Sequence, residues 1–377
     1  MQSTASASIT FDRSAARKSV QEERRRSSII DLTITLATIL LALLLGCLVI
    51  LFVKRDDPSK AIEAITALFT GPLTRIGRTG RWLEVATNLI IVGLSVTIAF
   101  RARQFSLGAE SQILVGAMVA AVIAIFVPLP PILAIVVPTL AAMVAGFLVG
   151  LLPGVMKAYL NANEIVSTLM INAIIARLFD AILTYILKPA GAQTTQSDPI
   201  LDNAALPRFE ELLGIDLGNF NLGVIFAILA TIGVWLLLTR TRFGYEIRTI
   251  GANEKFARYG GIDTKRTIAL SFAIGGAVAA LCGVHLSLGV HQRLLLAFTG
   301  GLGFDGITVA LLARNNPLIV PLAALFYAYL LVGGDRMEGV ASVGSEIVQV
   351  IQAIIMLLIT AQVLVQWVKQ KRARQTS

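Results

Sequence analysis

The stretch Thr239–Arg266, TRTRFGYEIRTIGANEKFARYGGIDTKR, decides how the rest of the chain is read. It is a polar, basic island in a sequence that is otherwise largely hydrocarbon. One apolar run precedes it at Phe220–Leu238 and another follows at Ile268–Leu286. A polar segment between two membrane spans lies in water, and cytoplasmic loops collect Lys and Arg. Arg240, Arg242, Arg248, Lys255, Arg258, Lys265 and Arg266 face only Glu246, Glu254 and Asp263, so the cytoplasmic side is expected. Gly244, Gly251 and Gly260–Gly261 punctuate the island. Between the last two, Ala252–Tyr259 is long enough for about two helical turns. Asn253 suits its N-cap and Glu254 its first turn. A short helix between glycine hinges can dock into a groove on a partner. An ordinary basic loop that obeys the positive-inside bias would look similar.

Composition sets the environment. Hydrophobic residues make up 56% of the 377, and the mean hydropathy is +0.78, both beyond the range of soluble domains. Several runs reach the roughly 20 apolar residues that a membrane helix needs. Lipid restricts spanning structures to helices or closed barrels, and continuous, non-alternating runs select helices. The expected fold class is therefore all-α, a polytopic membrane helix bundle. The net charge of +9 lies in loops and tails, where membrane orientation explains it without a nucleic-acid partner. Cys47 and Cys282 fall inside apolar runs and read as small buried hydrophobes. Neither a disulfide framework nor metal-ligand spacing is visible. No GxxxxGK[ST] phosphate loop occurs, so a system driven by ATP must take its hydrolytic site from another subunit. No nucleophile clusters with a base, which argues against a membrane-embedded enzyme.

Taken in order, residues 1–28 are Ser-rich and basic and read as a disordered cytoplasmic tail. Residues 29–368 form the membrane domain, and 369–377 a second basic cytoplasmic tail. Leu32–Val53 is an uncleaved first span. Ala61–Phe69 reads as an amphipathic segment at the interface, and Trp82–Phe100 as the second span. Ser111–Met156 holds two spans around the turn Pro128-Leu129-Pro130-Pro131. Ile165–Leu187 is the fifth span, with Arg177 and Asp180 spaced to pair on one face. Residues 188–219 form an outer loop and 240–267 the cytoplasmic one. Ile268–Leu288, the short run Ile307–Ala313, Pro317–Val332 and Ile347–Val368 complete about ten segments, with both termini cytoplasmic. Counting Ile307–Ala313 as re-entrant would change that parity.

Two stretches look alike. Leu107-Gly108-Ala109-Glu110-Ser111-Gln112-Ile113 overlays Leu302-Gly303-Phe304-Asp305-Gly306-Ile307-Thr308. Each has a glycine, an acid two residues on, and then an apolar half-helix. Paired broken segments in two halves of a transporter point to its substrate path. Acids at membrane depth belong in the bundle interior or in water. Asn88, Glu110, Gln112, Asn172, Phe304 and Asp305 are thus the candidate pathway residues. The competing assignment makes the acids helix caps and the asparagines interhelical glue. His285 and His291 show no partner pattern.

The run Gly244-x3-Arg248-x2-Gly251-x-Asn253-x3-Ala257-x3-Gly261-Ile262 resembles the coupling loop of ABC importer permeases, in the branch serving simple sugars and nucleosides. FSLGAESQ at 105–112 is similar to that branch's FNIGAEGQ, departing at Ser106 and Ser111. GLGFDGITVALLARNNP at 301–317 is similar to its GxGFDGIxVALLGRNNP, with Ala313 for a glycine. NEIVSTLMIN at 163–172 fits its NEIVSTLMLN. The resemblance runs from about Trp82 to the last span, and Arg258 departs from it where a small residue is common. It implies that Gly244, Arg248, Gly251, Asn253, Glu254, Ala257 and Gly261 couple the chain to an ATP-binding cassette subunit. ATP and Mg would then sit in that partner, with no cofactor in this chain. It further implies a second, related permease, an extracytoplasmic solute-binding protein, a bacterial inner-membrane location, and import of a nucleoside or simple sugar. The alternative is a secondary transporter coupled to protons or ions through Glu110 or Asp305.

Overall fold

A computed structural model of the protein describes residues 57–341 without interruption. It also describes residues 40–41, 43–52 and 55, and, beyond 341, residues 347, 349–350, 353–354 and 357. The chain divides into two units, 1–61 with 346–377, and 62–345. In the first, Leu43–Phe52 is an apolar helix inside the expected first span. The remainder of that span, both tails and most of Ile347–Val368 lie outside the described residues.

The second unit is helical. Its elements are α1 (Pro58–Thr70, counted from Ile62), α2 (Ile76–Arg101), α3 (Ala109–Phe126), α4 (Pro131–Leu160), α5 (Glu164–Ile182) and the short α6 (Phe209–Leu213). Then follow α7 (Val224–Arg240), α8 (Arg242–Ala252), α9 (Glu254–Tyr259), α10 (Thr264–Val284), α11 (Leu302–Leu312) and α12 (Val320–Ala341). Extended pairing among the described residues is confined to the isolated bridges Gln196–Leu295 and Arg208–Asn221. Leu183–Leu187 continues α5, and His285–Val290 continues α10, as π-helix.

Among the described residues five helices are long and apolar enough to cross a membrane: α2, α3, α4, α5 and α10, the last two with their π continuations. The pair α7–α8, bent by 71°, makes a sixth if taken as one. The expectation of about ten is therefore matched here by five to six. α11 is apolar but only 11 residues long. α12 has 22 residues, but Asp335, Arg336 and Glu338 occupy its last two turns.

The helix boundaries follow local chemistry. The four-residue turn 127–130 separates α3 from α4 as expected, and Pro131 opens α4, where a missing N–H costs nothing. Asn163 caps α5, its Oδ1 accepting from Ile165 N at 2.9 Å and Val166 N at 3.4 Å.

Burial then sorts the layers. α2 and α10 are each buried over 83% of their apolar core stretch, α4 and α5 over 22%. The first two are central and the second two peripheral. Ile132, Val136, Leu140, Val144, Leu148 and Leu152 form an exposed stripe along α4, the apolar face that a membrane helix turns to lipid.

α10 packs on α4, α3 and α2. Lipid tails are as apolar as leucine, so helices associate through close contact of small residues. A Cβ on Gly276 would lie 2.2 Å from the Gly146 carbonyl oxygen, and one on Gly146 would lie 2.4 Å from the Gly276 oxygen. Nothing larger than glycine fits at either position. Gly276→Leu is expected to abolish recovery of folded protein in mild detergent. Gly233→Ala on α7, where a Cβ meets nothing within 4 Å, should leave stability unchanged or raise it by about 0.5–1 kcal/mol. Thermal unfolding of the purified variants checks both.

Candidate functional site

α3 begins at Ala109, after the break that follows the end of α2 at Arg101. α5 holds the backbone at that break. Thr168 Oγ1 accepts from Leu107 N at 3.3 Å, Asn172 Oδ1 accepts from Ser111 N at 3.1 Å, and Asn172 Nδ2 donates to Leu107 O at 2.7 Å. Thr168 and Asn172 are four residues apart, hence on one helix face. The motif NEIVSTLMIN thus clamps the motif FSLGAESQ. Ser111 adds a local bond from its Oγ to Gly108 O at 2.8 Å.

The start of α3 meets the start of α11. Glu110 Oε2 accepts from Gly303 N at 2.7 Å, and Oε1 accepts from the Thr299 hydroxyl. A Cβ on Gly303 would lie 2.7 Å from Glu110 N and 2.9 Å from its Cα, so the approach demands glycine. Glu110 and Asp305 occupy the first turns of the two helices, at their positive ends. Asp305 Oδ1 accepts from the Tyr327 hydroxyl at 3.0 Å. The two stretches that look alike are therefore in direct contact.

Two cavities adjoin this junction. The first, of about 320 Å³, is lined by Arg81, Glu84 and Asn88 of α2, by Thr299 and Asp305, and by Asp335 of α12, among others. The second, of about 370 Å³, is lined by Glu110, Phe179 and Asp180, and shares Leu296–Thr299 with the first. Asn88 and Asp305 thus line one cavity and Glu110 the other. Gln112 and Asn172 line neither; both are buried in helix contacts. Phe304 is 48% exposed and also lines neither.

Arg81, Glu84, Asp335 and His291 join the first cavity without having been singled out. The spacing of Arg81, Glu84 and Asn88 along one helical face was the available signal. Burial, and then the positive charge of Arg81, hold the His291 imidazole below its ordinary value.

The polar island Thr239–Arg266 forms an elbow. Thr241 caps α8, its Oγ1 accepting from Gly244 N at 3.0 Å, and Asn253 caps α9, accepting from Phe256 N at 3.1 Å. The expected helix Ala252–Tyr259 is present as α9. α8 was not anticipated, because Gly244 and Gly251 look like breaks. They are instead sites of contact. A Cβ on Gly244 would lie 2.0 Å from Leu237 O, and one on Gly251 2.1 Å from Arg101 O.

Arg101 Nε in turn donates to Asn315 O at 2.5 Å, beyond the end of α11. Ala257 is fully buried with Ile250, Ile268 and Phe272. Gly261 turns the chain at φ +79°. Arg248 Nε donates to Gly244 O at 3.3 Å, and Glu254 lies 3.8 Å from Arg258. Most of the candidate coupling residues therefore shape the elbow from within. Its outward face carries Phe256, 66% exposed, and Tyr259, 92% exposed, beside the exposed charges of Glu254, Lys255 and Arg258. Two aromatic residues three apart on a polar helix were the overlooked sign.

Residues 78–360, which include the starts of α3 and α11, the clamp and the elbow, match the family model described as branched-chain amino acid transport system / permease component. The chain belongs to this permease family. It is similar to the glucose ABC transporter permease protein TsgB13 of Haloferax volcanii, with 32% identity over 86% of each chain. It is also similar to the guanosine ABC transporter permease protein NupP of Bacillus subtilis, with 31% identity over 90% of this chain and 96% of the relative. The nucleoside ABC transporter permease protein NupB of Lactococcus lactis shares 29% identity over 88% and 92%. No solved structure matches the chain.

Where the resembling motif has glycine, this permease carries Ala313 at φ −76°, a conformation that any residue adopts, so the methyl group is accommodated. In this permease Asn172→Leu would strand Leu107 O and Ser111 N at a cost of about 1–3 kcal/mol each. A lowered melting temperature, with faster amide exchange at residues 107–111, is the expected outcome. Thr168→Val, which loses one acceptor, should lower it less.

Proposed function

We propose that this chain is the membrane-spanning permease subunit of an ATP-driven ABC importer. It passes a nucleoside or simple sugar across the bacterial inner membrane by alternating access. The observation that carries this reading is the elbow. α9 presents Phe256 and Tyr259 to solvent, while Ala257 roots the same helix beside α10, and Gly251 roots α8 on the end of α2. A partner that grips the two aromatic rings would push directly on the two most buried helices. Those helices back the junction of Glu110 with Gly303. Permeases named for glucose, guanosine and nucleosides, aligned over most of the chain, support the solute class.

In this reading ATP and Mg belong to ATP-binding cassette subunits. A second, related permease completes the pathway, and an extracytoplasmic binding protein delivers the solute. A nearly complete switch between inward and outward states needs about 5.5 kcal/mol of differential binding, which nucleotide in the partner can supply. The topology that goes with it has ten segments between cytoplasmic tails 1–28 and 369–377. In it α3 and α11 are the paired half-helices of an internal repeat.

The test is a Phe256→Ser/Tyr259→Ser double variant. Both side chains are exposed, so the variant should keep the wild-type melting temperature. It should lose co-purification of the ATP-hydrolysing subunit and at least tenfold of solute uptake, the loss expected when two anchor side chains leave an interface. Glu110→Gln should weaken but retain uptake, because an amide oxygen still accepts from Gly303 N although the negative charge between the two helix ends is lost. Uptake that survives the double variant but vanishes in Glu110→Gln would overturn the proposal in favour of ion coupling.

A further inference from the structure

Behind the wall of the 320 Å³ cavity lies a histidine whose partner no sequence pattern marks. His285 is fully buried where α10 passes into its π segment, a local geometry that often marks functional sites. Its Nδ1 lies 2.7 Å from Asn88 Oδ1, and the Cys282 thiol donates to the same oxygen at 3.5 Å. An amide oxygen only accepts, so the imidazole proton sits on Nδ1. Nε2 bonds to no protein donor among the described residues.

The ring is boxed in. A Cβ on Gly223 would lie 2.1 Å from its Cδ2. Gly223 is itself fixed, its N–H donating to Asn221 Oδ1 at 2.8 Å, and Asn221 Nδ2 donates to Asn219 O at 2.9 Å.

This has a consequence for Asn88. With Oδ1 drawn back by two donors, Nδ2 is the end of the amide left over. It donates to no protein acceptor among the described residues, although Asn88 is only 2% exposed and lines the cavity. Nδ2 is not one of the fully buried polar atoms left without a partner; it opens on the cavity, where a solute oxygen can take the place of water. Asp305 and Thr299 line the same cavity, and its volume lies at the low end for small-molecule sites.

We propose that His285 is a positioning residue that holds the Asn88 N–H toward the cavity, where it reads an oxygen acceptor on a neutral hydroxylated solute. This rests on the permease reading above. A site built to bond one substrate oxygen rejects the analogue lacking it, because the site's own group is then left unpaired.

The experiment is uptake of labelled nucleosides and hexoses, and of analogues each lacking one oxygen, by cells carrying the chain with its partner subunits. For wild type, one analogue should enter about tenfold more slowly than its parent. Asn88→Leu and His285→Leu should each slow the parent to the rate of that analogue and erase the difference. The double variant should be no worse than either single one. His285→Asn, whose amide N–H falls near the position of Nδ1, should restore discrimination.

A purely structural role for His285 would slow parent and analogues alike and preserve their ratio, which would overturn the proposal. So would His285→Asn behaving as His285→Leu. If His285→Leu fails to reach the membrane, Asn88→Leu decides, and a wild-type ratio in that variant overturns the proposal. If wild type imports none of these solutes while its ATPase partner is active, the permease reading fails and this proposal with it. If wild type imports them and only the ratio is unaffected, this proposal alone fails.

Discussion

The arrangement depends on one electrostatic constraint: two helix N-termini face each other inside an apolar bundle. Each carries a partial positive charge and backbone N–H groups without intrahelical partners. Brought together in a low-dielectric interior they would repel, and their unpaired donors would be expensive. Glu110 resolves both problems at once. Its carboxylate belongs to the first turn of α3 and accepts from the first turn of α11 at Gly303. Asp305 adds a second negative charge in the first turn of α11 and is itself held by Tyr327.

Much of the surrounding packing keeps this contact in place. α5 clamps the backbone before α3 through Thr168 and Asn172, so the break cannot unravel into lipid, where free backbone groups are not tolerated. α10 is pressed against α4 at glycines that admit no side chain. Two cavities share the loop Leu296–Thr299 as lining, and irregular backbone inside a bundle is permitted where it lines a cavity.

Part of this was legible in the sequence. Long uninterrupted apolar runs gave the central spans nearly to their ends, and Pro128-Leu129-Pro130-Pro131 marked the turn between α3 and α4. The likeness of residues 107–113 to 302–308 pointed to two segments that do meet. The failures have physical causes. Gly244 and Gly251 looked like hinges because glycine serves both flexibility and close approach, and only three-dimensional distances tell the two apart. Asn172 could be read as a pathway residue or as interhelical glue, and both ends of its amide are committed to backbone. The bond between Asn88 and His285 joins residues 197 positions apart, and no local periodicity records such a pairing. Phe256 and Tyr259 were passed over because the loop was read by its charge, whereas two exposed aromatic side chains stand among those charges.

Arg101 gives the fold a further property. Its main-chain oxygen abuts Gly251 of the elbow, and its guanidinium holds Asn315 beyond the far end of α11. Glu110, nine positions later, holds the near end. The short connection from Arg101 to Glu110 therefore runs alongside α11 like a caliper closed on a rod of about 16 Å. The length of this connection and the length of α11 are tied to each other. A residue gained or lost in one would have to be matched in the other, though the two lie some two hundred positions apart in the chain. The spacing between two stretches far apart in the chain is thus held to one length by contacts at both ends of a single short helix.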